Sequence, residues 1–426
     1  MSDILQTLLA DIPLPQMMKV RQRFDASHLM DPIAVLRQQC RTVGCKRIQP
    51  GQQVAICVGS RGISRIADIT RTVIEVIKNL GAHPFLVPCM GSHGGATAEG
   101  QTRVLAHLGI DEESMGVPIR SSMEAVRIGS LDNGLPVYVD HIAVTQSDAI
   151  VVINRIKPHT AFRGPVESGI LKMLAIGLGN QKGAEACHQL GFRYMADHIP
   201  AMANIILAKL PIAFGVAIVE NAYDEICNIE ILTRDTMEMR ERELLIEAKS
   251  RLPKILCNPI DVLVIDCIGK NISGDGMDPN ITGRYPTPYA YGGPEVTKMV
   301  VLDLTAESRG NANGVGTADF TTRRLVDKTN WPATYANGLT STVCAPTKMA
   351  TVLENDRLAI QAAVKTCNIL DYSTCRMVRI RDTLHLGEIF VSESLRAEAE
   401  AHPDVEPIDQ KISFLFDDSG NLATTS

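Results

Sequence analysis

The sequence predicts an α/β protein of two α/β domains with mainly parallel sheets and an inter-domain active-site cleft. Three observations lead there. Short, continuously apolar runs at residues 53–58, 148–153 and 261–266 have the length of strands buried on both faces. Glycine-rich turns follow such runs, and apolar residues at helical spacing follow the turns. The same order restarts after Pro253 and Pro259, so a second unit opens near residue 255.

QVAICV at residues 53–58 is the first of these strands, and residues 59–62 form a turn. Ile66, Ile69, Val73, Ile74, Val76, Ile77 and Leu80 share one helical face, and Gly81 stops that helix. PFLVP at residues 84–88 is the next strand and runs into Gly91-Ser92-His93-Gly94-Gly95. A helix over residues 97–108 closes at Gly109. DAIVVI at residues 148–153 leads to a polar loop, 154–164, and then to an apolar helical stretch, 169–178. Residues 212–219 and 226–232 read as paired strands, and 235–252 as a charged amphipathic helix.

The second unit starts with DVLVID and the loop GKNISGDGMDPNITGR, residues 269–284. Its further strands fall at 300–304, 377–381, 389–391 and 411–416, with a helix at 356–366. The domains expected are therefore 1–255 and 256–385, with 386–426 returning to the first. No repeat of 20–50 residues is visible.

Composition narrows the function classes. The net charge is −6 and no basic cluster exists, which argues against nucleic acid and anionic membranes as partners. No apolar run has the roughly 18 residues of a membrane span. The N-terminus carries Asp3 and Asp11 and no basic residue before Leu14, so a secretory signal is not expected. Eleven cysteines without a Cys-x-x-Cys pair read as reduced thiols, and the expected location is cytoplasmic.

Loops at the carboxyl ends of parallel strands build sites, and three of them carry basic groups beside glycine. His93 lies between Ser92 and Gly94-Gly95, where a ligand can approach the backbone closely. His159 follows Pro158 in a loop with Arg155, Lys157 and Arg163. Lys172 sits in the apolar stretch GILKMLAIG, an expensive place for an ammonium unless it is paired or chemically used. His188 follows on the next helix. Residues 91–95 and 269–283 are glycine-rich enough to cradle phosphate, yet neither is a Walker loop nor G-x-G-x-x-G. A G-x-S-x-G elbow and an H-E-x-x-H zinc motif are both missing.

GSHGGATAEG around His93, KPHTAFRGPVESGILKMLAIG from Lys157, and the downstream His188 together resemble the nickel-pincer lactate racemase family. His159 follows His93 by 66 residues and His188 follows Lys172 by 16, as the resemblance requires. It covers about residues 50–200 and extends to the second unit by architecture. Two features depart from the family. His159 and Lys172 stand 13 residues apart, about one helical turn more than the pattern. Val58-Gly59-Ser60-Arg61-Gly62 also lacks the aspartate that precedes the arginine of the family's first loop.

The resemblance implies a racemase or epimerase that inverts C2 of a 2-hydroxy acid, an isomerase. The cofactor it implies is a nickel-pincer nucleotide, a pyridinium-3,5-dithiocarboxylate-type mononucleotide carrying nickel. Lys172 would bind it covalently, with Ser92, Gly94 and Gly95 nearby, and His188 would ligate the metal. His93 and His159 would be the catalytic acid–base pair. Arg61, Lys270 and Lys348 would bind the substrate carboxylate. The partners implied are the substrate and the enzymes that build the cofactor. The missing aspartate and the polar loop at residues 269–284 imply a substrate larger or more polar than lactate. Two other readings stay open: a zinc-dependent hydrolase or lyase using the same histidines, and a non-catalytic two-domain binding protein.

Overall fold

The computed structural model describes residues 3–60, 62–408 and 412–423. The chain forms a mixed α/β fold of two compact units, Asp25–Leu252 and Met1–Phe24 with Pro253–Ser426. No helix among the described residues is long and apolar enough to cross a membrane.

Asp25–Leu252 is built on a five-stranded sheet in the order His83–Pro88, Gln53–Val58, Ala149–Arg155, Ile212–Glu220, Ile226–Thr233. The first four strands are parallel and the last is antiparallel. The inner strands are apolar without alternation because helices cover both faces; Ile212–Glu220 is buried along its whole length. Helix Ile66–Asn79 presses Ile69, Val73, Ile74 and Ile77 onto the core that holds Ile56 and Val151. Each such enclosed side chain contributes roughly 1.5–3 kcal/mol. Helix Ala98–His107 starts where the Thr97 hydroxyl accepts the Gly100 N–H at 3.0 Å.

The stretch expected as one helix over 169–178 divides. Ile170–Lys172 is α-helical, and Met173–Gly177 widens into a π turn, with Leu178 N–H donating to Met173 O at 2.8 Å. The hairpin of Ala125–Ser130 and Pro136–Asp140 was not anticipated, because its first strand is only half-buried and shows no clean alternation.

The other unit carries an eight-stranded sheet in the order Thr351–Leu353, Phe320–Thr322, Val296–Leu304, Ile260–Ile268, Met377–Ile380, Glu388–Ser392, Met17–Gln22, Val405–Pro407. The first five strands are parallel and the last three join antiparallel. This corrects the expected domain assignment at both ends of the chain. The N-terminal segment belongs here, because Met17–Gln22 is zipped between Glu388–Ser392 and Val405–Pro407. Leu9 and Ile12 also pack in the core of Ile360 and Val364, where Gln361 donates to Ile12 O at 2.9 Å. For the same reason the segment from 386 onward does not return to the first domain. The strand expected at 411–416 begins at Lys411, outside the described residues. From Ile412 to Phe416 there are only isolated bridges, Met17 with Ile412 and Phe416 with Leu422.

Candidate active site

In Asp25–Leu252 the parallel strands Gln53–Val58, His83–Pro88 and Ala149–Arg155 end on one edge of the sheet, so the three loops after them are neighbours. The third loop is closed at its neck, where Lys157 and Ser168 exchange backbone hydrogen bonds of 2.9 and 3.1 Å. Inside it Glu167 is fully buried. Its carboxylate accepts the His159 N–H at 2.7 Å, the Lys249 ammonium at 2.6 Å and the Arg163 guanidinium at 3.3 Å. Arg163 also donates to His159 O at 2.6 Å. The loop's backbone is thereby tied on both sides of the imidazole.

The His159 ring packs 4.5 Å from the Phe162 ring and 6.0 Å from that of Phe192. His188, at the end of helix Asn180–His188, meets Phe192 edge-on at 5.3 Å. Its Nδ1 donates to Ala184 O, one turn back, at 2.6 Å. Burial holds His159 well below the usual histidine range, and the charges of Lys172, His188, Lys157 and Arg163 push it further. His188 is lowered by burial and by Lys172, against the Ala184 bond that raises it. Lys172 also acts on the neighbouring Cys187 thiol, which burial pushes up to about 12. His159, Lys172 and His188 thus share one electrostatic neighbourhood, which disfavours the charged form of both imidazoles.

Lys172 is half-buried at the junction of the α and π turns. The π turn lies against the other two loops. Gly91 N–H donates to Gly177 O at 3.1 Å, and a Cβ on Gly59 would come 3.2 Å from Met173 Cε. From below, Glu241 on helix Met237–Arg251 accepts the Leu171 N–H at 3.0 Å and caps the segment that carries Lys172. Gly169 makes room for it: a Cβ there would lie 2.2 Å from Glu241 Oε1. Desolvation raises the Glu241 carboxyl to about 7.

His93 is exposed on the second loop, and its Nδ1 pairs with the Ser60 hydroxyl of the first. Gly94 has φ +69, and a Cβ there would lie 2.5 Å from Gln101 N, so packing against the helix start already demands glycine. Gly95, also at φ +69, faces open space. Arg61 lies outside the described residues. Arg155 has a structural partner in Glu220, which also accepts the Ser64 N–H at 2.6 Å. Lys270 and Lys348 belong to the other unit, where the Lys270 ammonium donates to Gly274 O and Lys348 is exposed.

Three participants escaped the sequence reading. Glu167 is the lone acidic residue in a cationic loop, a signal that was present. Glu241 shares a helical face with Leu244, Leu245 and Ala248, so periodicity alone puts it inside. Ser60 occupies the loop where the aspartate is missing and carries no such mark.

Among the described residues no group of three or more His, Cys, Asp or Glu is arranged to hold a metal ion. A nickel-pincer group asks for something else, one neutral imidazole and one amine. His188, with its proton fixed on Nδ1 and its lone pair on Nε2, and the half-buried Lys172 fit that demand. No family model matches the chain, and no curated protein does. Among solved structures, the lactate racemase apoprotein from Thermoanaerobacterium thermosaccharolyticum is similar at 14% identity and a TM-score of 0.49, over 92% of this chain and 96% of that one.

Proposed function

We propose that the chain is a racemase or epimerase that inverts C2 of a 2-hydroxy acid with a nickel-pincer nucleotide held by Lys172 and His188. The observation that carries this reading is the meeting of Lys172, His188 and His159 in one half-buried cluster, with the His188 tautomer set for a ligand. When bound, such a group supplies a carbon that accepts hydride from the substrate's C2–H. The chain's own residues do the rest. Lys172 anchors the group by its amine, and the Glu241 cap and the π turn fix the backbone from which that side chain projects. The aromatic wall of Phe162 and Phe192 excludes water. His93 and His159 handle the substrate hydroxyl, and Arg61 takes the carboxylate.

The test is protein made together with the cofactor-building enzymes. Intact mass should rise by the nucleotide, and Lys172→Ala should abolish the increase. Nickel should be present and should fall in His188→Ala. A panel of lactate, malate, phenyllactate and sugar acids should show interconversion of at least one pair. Unmodified mass, no nickel and no interconversion would overturn the proposal.

A further inference from the structure

Helix Met237–Arg251 reaches both reactive segments of the candidate site. Glu241 accepts the Leu171 N–H at 3.0 Å, beside Lys172. Two turns on, about 12 Å along the axis at roughly 1.5 Å per residue, Lys249 donates to Glu167 at 2.6 Å. The same carboxylate accepts the His159 N–H at 2.7 Å. One element therefore holds the lysine segment at one point and the histidine loop at another.

The helix is a fixed reference. Met237, Leu244, Leu245 and Ala248 are buried along it. Arg240 holds Glu230 through two bonds of 2.8 Å, and Asn228 donates to Glu247 at 2.8 Å, so strand Ile226–Thr233 is joined to it twice. Arg251 fastens its last turn to Asp25 and Ser27.

The histidine loop needs such a reference. The Lys157–Ser168 neck and the Arg163 bonds to His159 O and Glu167 join the loop to itself and travel with it. The tie from Glu167 to Lys249 crosses to a different element, 82 residues away in sequence. Glu167 is fully enclosed, whereas the Lys249 side chain is 39% exposed. A buried carboxylate has lost its water and is compensated by the cations that reach it, so the outer ammonium fixes where the inner carboxylate rests. Glu167 also lies within the stretch from His159 to Lys172 that exceeds the racemase pattern by about one helical turn.

Resting on the function proposed above, we infer that Lys249 and Glu167 are positioning residues, which register the His159 imidazole against Lys172 through helix Met237–Arg251. Proton transfer at the substrate hydroxyl depends steeply on distance, and a misplacement near 1 Å costs on the order of 10²-fold. The group that reacts with the substrate is anchored at Lys172. His159 must therefore keep its place relative to that anchor, not only relative to its own loop.

The test has two arms. The first uses the full chain without cofactor, labelled with ¹⁵N-histidine, so that each histidine shows one backbone amide. His159→Gln assigns its peak. In Lys249→Met the His159 amide should exchange with solvent at least about tenfold faster than in wild type, with the His188 amide, inside helix Asn180–His188, unchanged. Arg242→Met removes a charge paired with Glu238 on the same helix and should change neither. Unchanged exchange at His159, or equal acceleration at both histidines, overturns the tie. The second arm uses the loaded enzyme, with turnover counted per nickel. Lys249→Met should lose about 10–10²-fold in kcat with KM and nickel content kept, and Lys249→Arg should recover most of the loss. In a Glu167→Gln background Lys249→Met should add less than about twofold, because the carboxylate through which it acts is gone. A merely structural role lowers the melting temperature and leaves kcat per nickel unchanged, and that result overturns the inference. If the wild-type loaded enzyme turns over no acid, the racemase reading fails and the catalytic half of this inference with it, while the exchange arm still decides the tie.

Discussion

Replacing Glu241 with glutamine should make the protein more stable in alkaline solution and flatten part of its pH dependence. Glu241 is fully enclosed, one oxygen bound by the Leu171 N–H and the other, Oε1, without a hydrogen-bond partner among the described residues. Burial raises its pKa from 4.5 to about 7. Below pH 4.5 both the folded and the unfolded chain hold the proton. Between 4.5 and 7 the unfolded chain releases it while the folded chain keeps it, so stability falls as pH rises through this window. At about 1.4 kcal/mol per unit of pKa, the full loss by pH 8 is about 3 kcal/mol. Glutamine keeps a carbonyl for the Leu171 N–H and has no charge to desolvate. Urea denaturation of wild type and Glu241→Gln at pH 5 and pH 8 isolates this one group from all other titrations. The variant should gain roughly 2–3 kcal/mol on wild type between the two pH values. A stability difference that stays constant with pH, or moves in the opposite sense, would refute the assignment of a neutral buried acid beneath Lys172.

Gly169→Ala should destabilise by about 1–3 kcal/mol, because its Cβ would overlap Glu241 Oε1 at 2.2 Å and Ile156 Cδ1 at 2.7 Å; adding Glu241→Ala should recover part of the loss in a thermal melt. Glu167→Ala strips the buried acceptor from Lys249, Arg163 and the His159 N–H, and should cost about 2–4 kcal/mol in denaturant titration. Since burial depresses His159, the unfolded chain binds a proton first on acidification. This residue's contribution should be lost as pH falls through about 6.5, and His159→Gln should remove that slope in melts between pH 7 and 5. Glu388, by contrast, pairs with Lys19 at 2.7 Å and Arg21 at 3.0 Å on an exposed face, and Glu388→Gln should shift stability by no more than about 1 kcal/mol.

Local sequence carried the strands of the two parallel cores. A strand covered on both faces must be apolar throughout, and QVAICV, DAIVVI and DVLVID announce that by themselves. It carried helix Ile66–Asn79 through its apolar period, and the positions of His93, His159, Lys172 and His188 beside glycine or in apolar surroundings. Even the His188 tautomer was within reach once its helix was recognised, since Ala184 lies one turn before it.

Tertiary structure decided the rest. Met17–Gln22 joins a sheet whose other strands come from the far half of the chain; its lysine and arginine mask an alternation that makes sense only beside Glu388 and Val405. The division of 169–178 into an α and a π turn depends on Glu241, seventy residues away, and on contacts with the Gly59 and Gly91 loops. The place of His159 depends on a loop closed by Lys157 and Ser168 and pinned by Glu167 and Lys249. Periodicity reports which side of an element is dry. Which polar group a buried loop meets, and so where its histidine stands, is settled only when distant segments are packed together.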